Sequence, residues 1–431
     1  MVSDELVISY FFPPSNNISG IVLSKRIIEN NKKVDLLTTH QDNSLEDFSN
    51  ILDSYIESKI FVDVTKPKDS PEGIAEFVKN SLNQLTHEYE TITSRSWLMS
   101  NHFLAMEYKF SHPDTYWRAE FSDPLLYDIY HRINRRDRHK IKSGNYFKRV
   151  NERIPENFPK LKNNSSTFFT VEYLTFLFAD EIVFTNENQR DLMIGEFPID
   201  IKDFVLNKSV ISPHPTLPNE FYHKKQTSLK LNHDYINMAY FGDYYYPNRN
   251  FEPILYALDS LNHKFKDKIR FYIFISDTKL LKDLTPQKNI YIKKPIDYLE
   301  FLNASTKFDV LVVNDMETGD NWSKNPYLPS KLSDYRGSGT DIWAIAEPGS
   351  ALDNINVKYK SHIDDYQSNT NALVRILEDR NHIDENYSVS DDYFEKRLTY
   401  LNRLLVKSYN SSIKPDGSSQ SVVKKLFKKL K

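Results

Sequence analysis

Short apolar runs alternate with helix-period stretches along most of the chain. Residues 6–12 read as a buried strand, followed by the turn-forming run Pro13-Pro14-Ser15-Asn16-Asn17 and a helical pattern over 18–30. Further strands are predicted at 34–38, 59–62, 91–93, 116–121 and 181–185. Helical patterns lie between them near 71–85, 98–109 and 165–178. Such alternation predicts a parallel sheet with helices on both faces.

The pattern then starts again. Residues 212–218, Ser-Pro-His-Pro-Thr-Leu-Pro, read as a stiff connector. Beyond it, strands are predicted at 236–241, 270–275, 289–292, 309–313, 341–346 and 356–359, with helices near 252–265, 298–305 and 370–379. The fold class is therefore α/β, with two doubly wound Rossmann-like domains facing each other across a cleft. Residues 1–212 form the first and 213–385 the second. Residues 386–410 follow as a helix packing back across both, and 411–431 as a linker with a basic tail. Open α/β sheets bind ligands at the carboxyl ends of their strands, which places the site in the cleft.

Size and charge narrow the picture. A chain of 431 residues exceeds the usual single core, and 39% hydrophobic with 13% aromatic content is enough to fill two. A net charge of −3 argues against general nucleic-acid binding. The absence of cysteine removes disulfide and thiolate chemistry. The acidic N-terminus does not resemble a signal peptide, and no run of about 18 apolar residues occurs, so a cytoplasmic protein is expected. The tail refines that expectation. Val422, Val423, Leu426, Phe427 and Leu430 share one helical face, with lysines elsewhere, a pattern that suits the surface of an anionic membrane. A peripheral position at the inner face of the membrane follows, unless the tail is simply a frayed basic end. A second basic segment holds Arg132, Arg135, Arg136, Arg138, Lys140, Lys142, Lys148, Arg149 and Arg153. It reads either as a solvated helix face or as an attractor for an anionic polymer.

Candidate chemistry gathers where glycine does. Only 10 glycines serve the chain, and four of them lie between Gly319 and Gly349. After the strand at 309–313 comes Pro329-Ser330-Lys331-Leu332-Ser333-Asp334-Tyr335, then Gly337-Ser338-Gly339. A helix starting at Ser330 would direct its free amides at an anion, and Lys331 would add a full charge. Asp334, one turn on, is placed to accept hydrogen bonds from ribose hydroxyls. Upstream, Gly242 ends a strand and Arg249 precedes a helix, where its guanidinium suits a phosphate. Downstream, Gly349-Ser350 offers small residues with free amides at another helix start. Three strand–helix loops of one sheet thus converge on a phosphorylated ligand.

These features in this order resemble glycosyltransferases of the GT-B type, family 4, over roughly residues 5–405. The matching features are Pro13-Pro14…Ile18-Ser19-Gly20, then 179–186 before the domain crossing, Gly242…Arg249, and Pro329 to Gly339. The resemblance implies a nucleotide-sugar donor in the C-terminal domain, approached by Gly20 and held at its diphosphate by Arg249 and Lys331. It also implies a glycan, lipid-linked or cell-wall acceptor in the N-terminal domain, retention of configuration, and Asp334 in the place of the second glutamate of an E-x7-E motif. The first glutamate would fall near Pro326 and is absent, or is supplied by Glu317 or Asp320. Where the family often has a histidine, Asp123 is the candidate facing the reacting sugar. Ser94 and Arg95 are placed on the acceptor side. His102 is either a third acceptor-side residue or a helix residue with a local hydrogen bond. Fixed cations and helix N-termini can stabilise a departing diphosphate without metal, so no metal and no further cofactor are expected. Two rivals remain: a GT-B-shaped protein that binds glycans or partners without catalysis, and a sugar-nucleotide epimerase of similar shape.

Overall fold

A computed structural model describes residues 3–40, 44–127, 139–195, 197–242, 249, 251–276, 288–319 and 322–380. The expected helix at 386–410, the linker and tail at 411–431, Asp320 and the part of the basic segment at 132–138 lie outside the described residues.

The first half runs β1 (Glu5–Ile8), α1 (Ile18–Asn30), β2 (Val34–Thr38), α2 (Glu46–Leu52), β3 (Ile56–Phe61), α3 (Pro71–Gln84), β4 (Thr91–Ser96), α4 (Met99–Ser111), β5 (Tyr116–Phe121), α5 (Gly144–Asn151), α6 (Thr167–Phe178), β6 (Glu181–Phe184), α7 (Glu187–Gly195), α8 (Ile199–Leu206) and β7 (Ser209–Ile211). Its seven strands are parallel, in the order β3-β2-β1-β4-β5-β6-β7. The second half runs β8 (Ile236–Phe241), α9 (Glu252–Ser260), α10 (His263–Lys266), β9 (Ile269–Phe274), β10 (Ile290–Lys293), α11 (Tyr298–Ser305), β11 (Val310–Asn314), α12 (Lys331–Ser338), β12 (Asp341–Ala346), β13 (Tyr359–His362) and α13 (Tyr366–Asp379). It forms a second parallel sheet, β10-β9-β8-β11-β12-β13. Two Rossmann-like α/β domains of the GT-B fold result.

The central strands are apolar because helices cover both faces: β2, β8 and β11 are buried along their whole length. Local sequence sets the helix starts. Asn17 accepts from the Ser19 and Gly20 amides at the head of α1, and Ser70 caps α3 just before Pro71. Several boundaries differ from the pattern. β1 ends at Ile8, because the Ser9 hydroxyl donates to the Phe11 carbonyl and turns the chain toward the two prolines. The helix expected over 252–265 is two helices, broken where the Asn262 side chain caps α10 by accepting from Lys264. The last strand starts three residues later than expected, at Tyr359. The three-residue β7 and the short helices α2, α5, α7 and α8, of seven to nine residues each, are additions to the expected elements.

One apolar cluster belongs to both halves. Phe12, Ile21, Leu36 and Phe48 of the first pack with Leu217 and Tyr222 of the connector, and with Tyr298 and Leu302 of α11. The connector itself is held by Arg26, whose Nη2 donates to the Ser212 and Pro213 carbonyls at 2.8 Å. The two lobes are therefore seated on a shared core behind the cleft.

Candidate functional site

Strand order fixes where each sheet opens. In the second sheet β8 is flanked by β9 and β11, so connections leave in opposite directions and a crevice forms outside the carboxyl ends of β8 and β11. Gly242 follows β8 with φ +129, and it leaves space for the lysine. A Cβ built there would lie 2.5 Å from Lys331 Nζ and 3.1 Å from its Cε. The ammonium also sits 3.7 Å from the centroid of the Tyr240 ring, a cation–π contact. Tyr335, one turn along α12 from Lys331, accepts the Phe241 amide on its hydroxyl at 3.0 Å. Helix α12 is thereby fastened to the end of β8.

Arg249 reaches the same place. Its positive charge acts on the buried Tyr335 phenol and on Asp315, the residue after β11. Asp315 is 1% exposed, and its Oδ2 accepts from Ser350 Oγ at 2.6 Å and from the Glu347 amide at 2.9 Å. Its Oδ1 is buried with no hydrogen-bond partner. Burial pushes the Asp315 carboxyl up to about 7, against the pull of these donors and of Arg249. Lys331 thus sits against the end of β8, while Arg249 acts on Asp315 after β11 and on Tyr335 of the helix that carries Lys331.

Other expected donor residues have different duties. The Gly349 amide is not free: it donates to Asp353 Oδ2, and the Ser350 amide donates to the Glu347 carbonyl. No helix begins there; the segment is a turn. Ser330 is already helical (φ −61, ψ −33) and its side chain caps nothing, while the Leu332 and Ser333 amides bond back to Pro329 and Ser330. Gly20 is required for packing, since a Cβ would meet the Phe11 carbonyl oxygen at 2.5 Å, and Asn17 takes its amide. Asp334 faces the other lobe. Its Oδ1 accepts from Lys25 Nζ of α1 at 2.5 Å and from the Tyr298 hydroxyl at 2.9 Å, with only 9% of the side chain exposed. In place of an open ribose contact, it provides a buried inter-lobe ion pair. Glu317 is buried at 8% exposure on the loop after β11. Glu347 holds that loop by accepting from Thr318, Gly319 and Asn325.

The first sheet has its own switch point, between β1 and β4. Ser94 and His102 are not at its surface. Ser94 Oγ lies 2.8 Å from His102 Nδ1 and accepts from Trp117 Nε1, and both residues are fully buried. Burial first, then the charge of Arg95, drives the His102 imidazole down to about 3, so it is a neutral core residue. Arg95 points the other way, as the next residue on a strand must. It donates to Glu120, and its Nε to Ser19 Oγ at 3.2 Å. Burial lowers its pKa, while the charges of Glu120 and then Asp123 raise it. Asp123 itself is exposed just beyond β5. In the described part of the basic segment, Arg149 pairs with Glu107 and Arg153 donates to the Phe110 carbonyl, both on α4, whereas Lys140, Lys142 and Lys148 are exposed.

Lys25, Arg26 and Asp315 were not apparent as site residues in the sequence. The lobes also meet where Asn186 donates to the Pro326 carbonyl and Asn188 to those of Asn325 and Gly349. Tyr127 meets Trp322 edge-on at 5.4 Å.

No family model matches the chain, and no characterised protein matches it by sequence. Its fold is similar to that of solved structures. Anabaena HepE in complex with UDP and glucose aligns with TM-score 0.54 at 10% identity, covering 93% of this chain and 95% of that one. An α,α-trehalose-phosphate synthase (UDP-forming) from Burkholderia xenovorans, in complex with glucose-6-phosphate, aligns with TM-score 0.54 at 8% identity, covering 93% and 96%. The E. coli trehalose-6-phosphate protein bound with UDP-2-fluoro glucose aligns with TM-score 0.52 at 10% identity, covering 98% of each chain. At these identities the likeness concerns the fold alone.

Proposed function

We propose that this chain is a glycosyltransferase that moves a sugar from a nucleoside-diphosphate sugar, with UDP as nucleotide, to a hydroxyl of a glycan acceptor. The observation that carries the reading is the Lys331 ammonium seated against Gly242 at the end of β8, with Arg249 acting on Asp315 at the end of the neighbouring β11. Breaking the bond between anomeric carbon and phosphate leaves negative charge on the diphosphate. In this reading Lys331 and Arg249 stabilise that charge from positions fixed in advance, without reorganising. Their two charges support a metal-independent reaction. Asp315 lies buried beside Arg249 at the same sheet edge, its carboxyl pushed up to about 7. Asp123, exposed beyond β5 within reach of the Arg95 charge, is the carboxylate proposed to face the acceptor hydroxyl. UDP is chosen because the similarly folded HepE and E. coli structures are complexes with UDP or a UDP-sugar.

Retention of configuration belongs to the same proposal. Among the described residues no helix is long and apolar enough to cross a membrane. A cytoplasmic enzyme building surface or cell-wall polysaccharide, peripheral to the membrane through 421–431, completes the reading. The test is a thermal-shift screen over nucleoside diphosphates and their sugars, repeated on Lys331→Ala. UDP should raise the melting temperature of the native protein and do so weakly or not at all in the variant. Equal shifts in both proteins, or none with any nucleotide, would remove the proposal.

A further inference from the structure

The carboxyl edge of the first sheet carries aromatic side chains that the donor site does not use. Trp97, the residue after β4, is 47% exposed, whereas Trp117, Trp322 and Trp343 are buried at 0%, 7% and 0%. Its ring meets Phe11 at 5.6 Å, and Lys68 Nζ lies 4.7 Å from the Phe11 centroid and 5.6 Å from that of Trp97. Farther along the edge, Phe61 ends β3 at 41% exposure and stacks on His40 at 4.6 Å with an interplanar angle of 6°. A hollow of about 160 Å³ adjoins this second pair, lined by Pro13, Pro14, Thr38, Thr39 and Lys59.

Exposed, mutually ordered aromatic faces do nothing for a core that is already closed beneath them. They suit a ligand with one apolar face and an oxygen-rich rim, as a pyranose ring has. The spacing says more. Phe11 and Trp97 follow β1 and β4, and His40 and Phe61 lie at the ends of β2 and β3, so the centres of the two pairs are about two strand spacings or about 10 Å apart, wider than one pyranose ring. Charge says what the ligand is not. Asp69 and Glu76 lie close enough to raise the Tyr10 phenol, after burial, so this edge is not a uniform cationic surface. Stacking leads, and Lys68 supplies up to three donors to sugar oxygens.

We infer that the acceptor is a glycan chain of more than one ring, stacked on the Trp97–Phe11 pair and on the Phe61–His40 pair. The inference builds on the transferase reading and narrows its acceptor, away from a polyanion or a single small alcohol. Because Trp97 is the one exposed tryptophan, its fluorescence reports occupancy directly. The full chain would be screened on an array of linear oligosaccharides graded in length from monosaccharide upward, neutral and uronic-acid-bearing. Retained probes would then be titrated by tryptophan quenching. Binding should rise with length, weaken by about tenfold or more in Phe61→Ala, and fall similarly in Trp97→Ala when followed by calorimetry. Trp97→Phe, which keeps a ring, should recover most of it. Stabilisation by UDP should be unchanged in all three variants, which also shows that they fold. No retained oligosaccharide, a monosaccharide bound as tightly as longer chains, or affinity indifferent to Trp97→Ala would overturn the inference. Length-dependent glycan binding without any UDP response would sink the donor reading and leave the platform standing.

Discussion

Gly242→Ala gives the sharpest test of the donor site, because the added methyl group and the Lys331 ammonium cannot share one place. The new Cβ would stand 2.5 Å from Nζ, well inside contact distance, and the ammonium is the flexible end of its side chain, so it is the group that moves. A backbone φ of +129 is also unfavourable for alanine, at about 1–3 kcal/mol. For a domain of this size that lowers the melting temperature by about 2–12 °C. Affinity is a separate matter. A charge-assisted bond from Lys331 to phosphate is worth about 1.5–3 kcal/mol, or about 10–150-fold in Kd for UDP. Calorimetric titration of UDP into Gly242→Ala, Lys331→Ala and the double variant completes a cycle. If the glycine acts by making room for the ammonium, Gly242→Ala weakens UDP binding in the native background. It then adds almost nothing once Lys331 is gone, although its thermal penalty persists in both. Undiminished UDP affinity in Gly242→Ala, or the same loss with and without Lys331, would refute the reasoning.

Three further outcomes follow from buried charges. Lys25→Met strands the Asp334 carboxylate between lobes and should cost about 3–5 kcal/mol in urea denaturation, whereas Lys25→Met/Asp334→Leu should recover most of it; a loss in Lys25→Met below about 1 kcal/mol would deny the pair its role. Asp315 is raised in the folded state from 3.8 to about 7, so between those pH values only the unfolded chain ionises there, and stability falls as pH rises through the window. Asp315→Asn should flatten that slope in denaturation curves taken across the same range. His102 is lowered from 6.5 to about 3, so the unfolded chain gains its proton first, and this part of the stability is lost as pH falls from about 6.5 toward 3. His102→Gln should reduce the acid sensitivity, and an unchanged acid limb would mean the imidazole titrates freely in the fold.

Periodicity determined the two sheets except the edge strand β7, because a strand covered by helices on both faces must be apolar throughout and a short run such as 309–313 has few other readings. It also pointed to the loops after those strands as the candidate site, with Gly242, Arg249 and Lys331 among them. What each loop residue does was decided by tertiary structure. Ser94 and Arg95 are neighbours in sequence, yet the alternation of a strand sends one into the core against His102 and Trp117 and the other toward Ser19 and Glu120. Asp334 follows Lys331 by three residues and shares its helix, but α1 of the other lobe supplies Lys25 and claims its carboxylate. Asp315 looks like any residue after a strand until burial, Ser350 and Arg249 surround it. Local pattern records which positions are buried; only the folding of distant segments against one another sets which charges meet, because Coulomb and hydrogen-bond partners are chosen by distance in space and not along the chain.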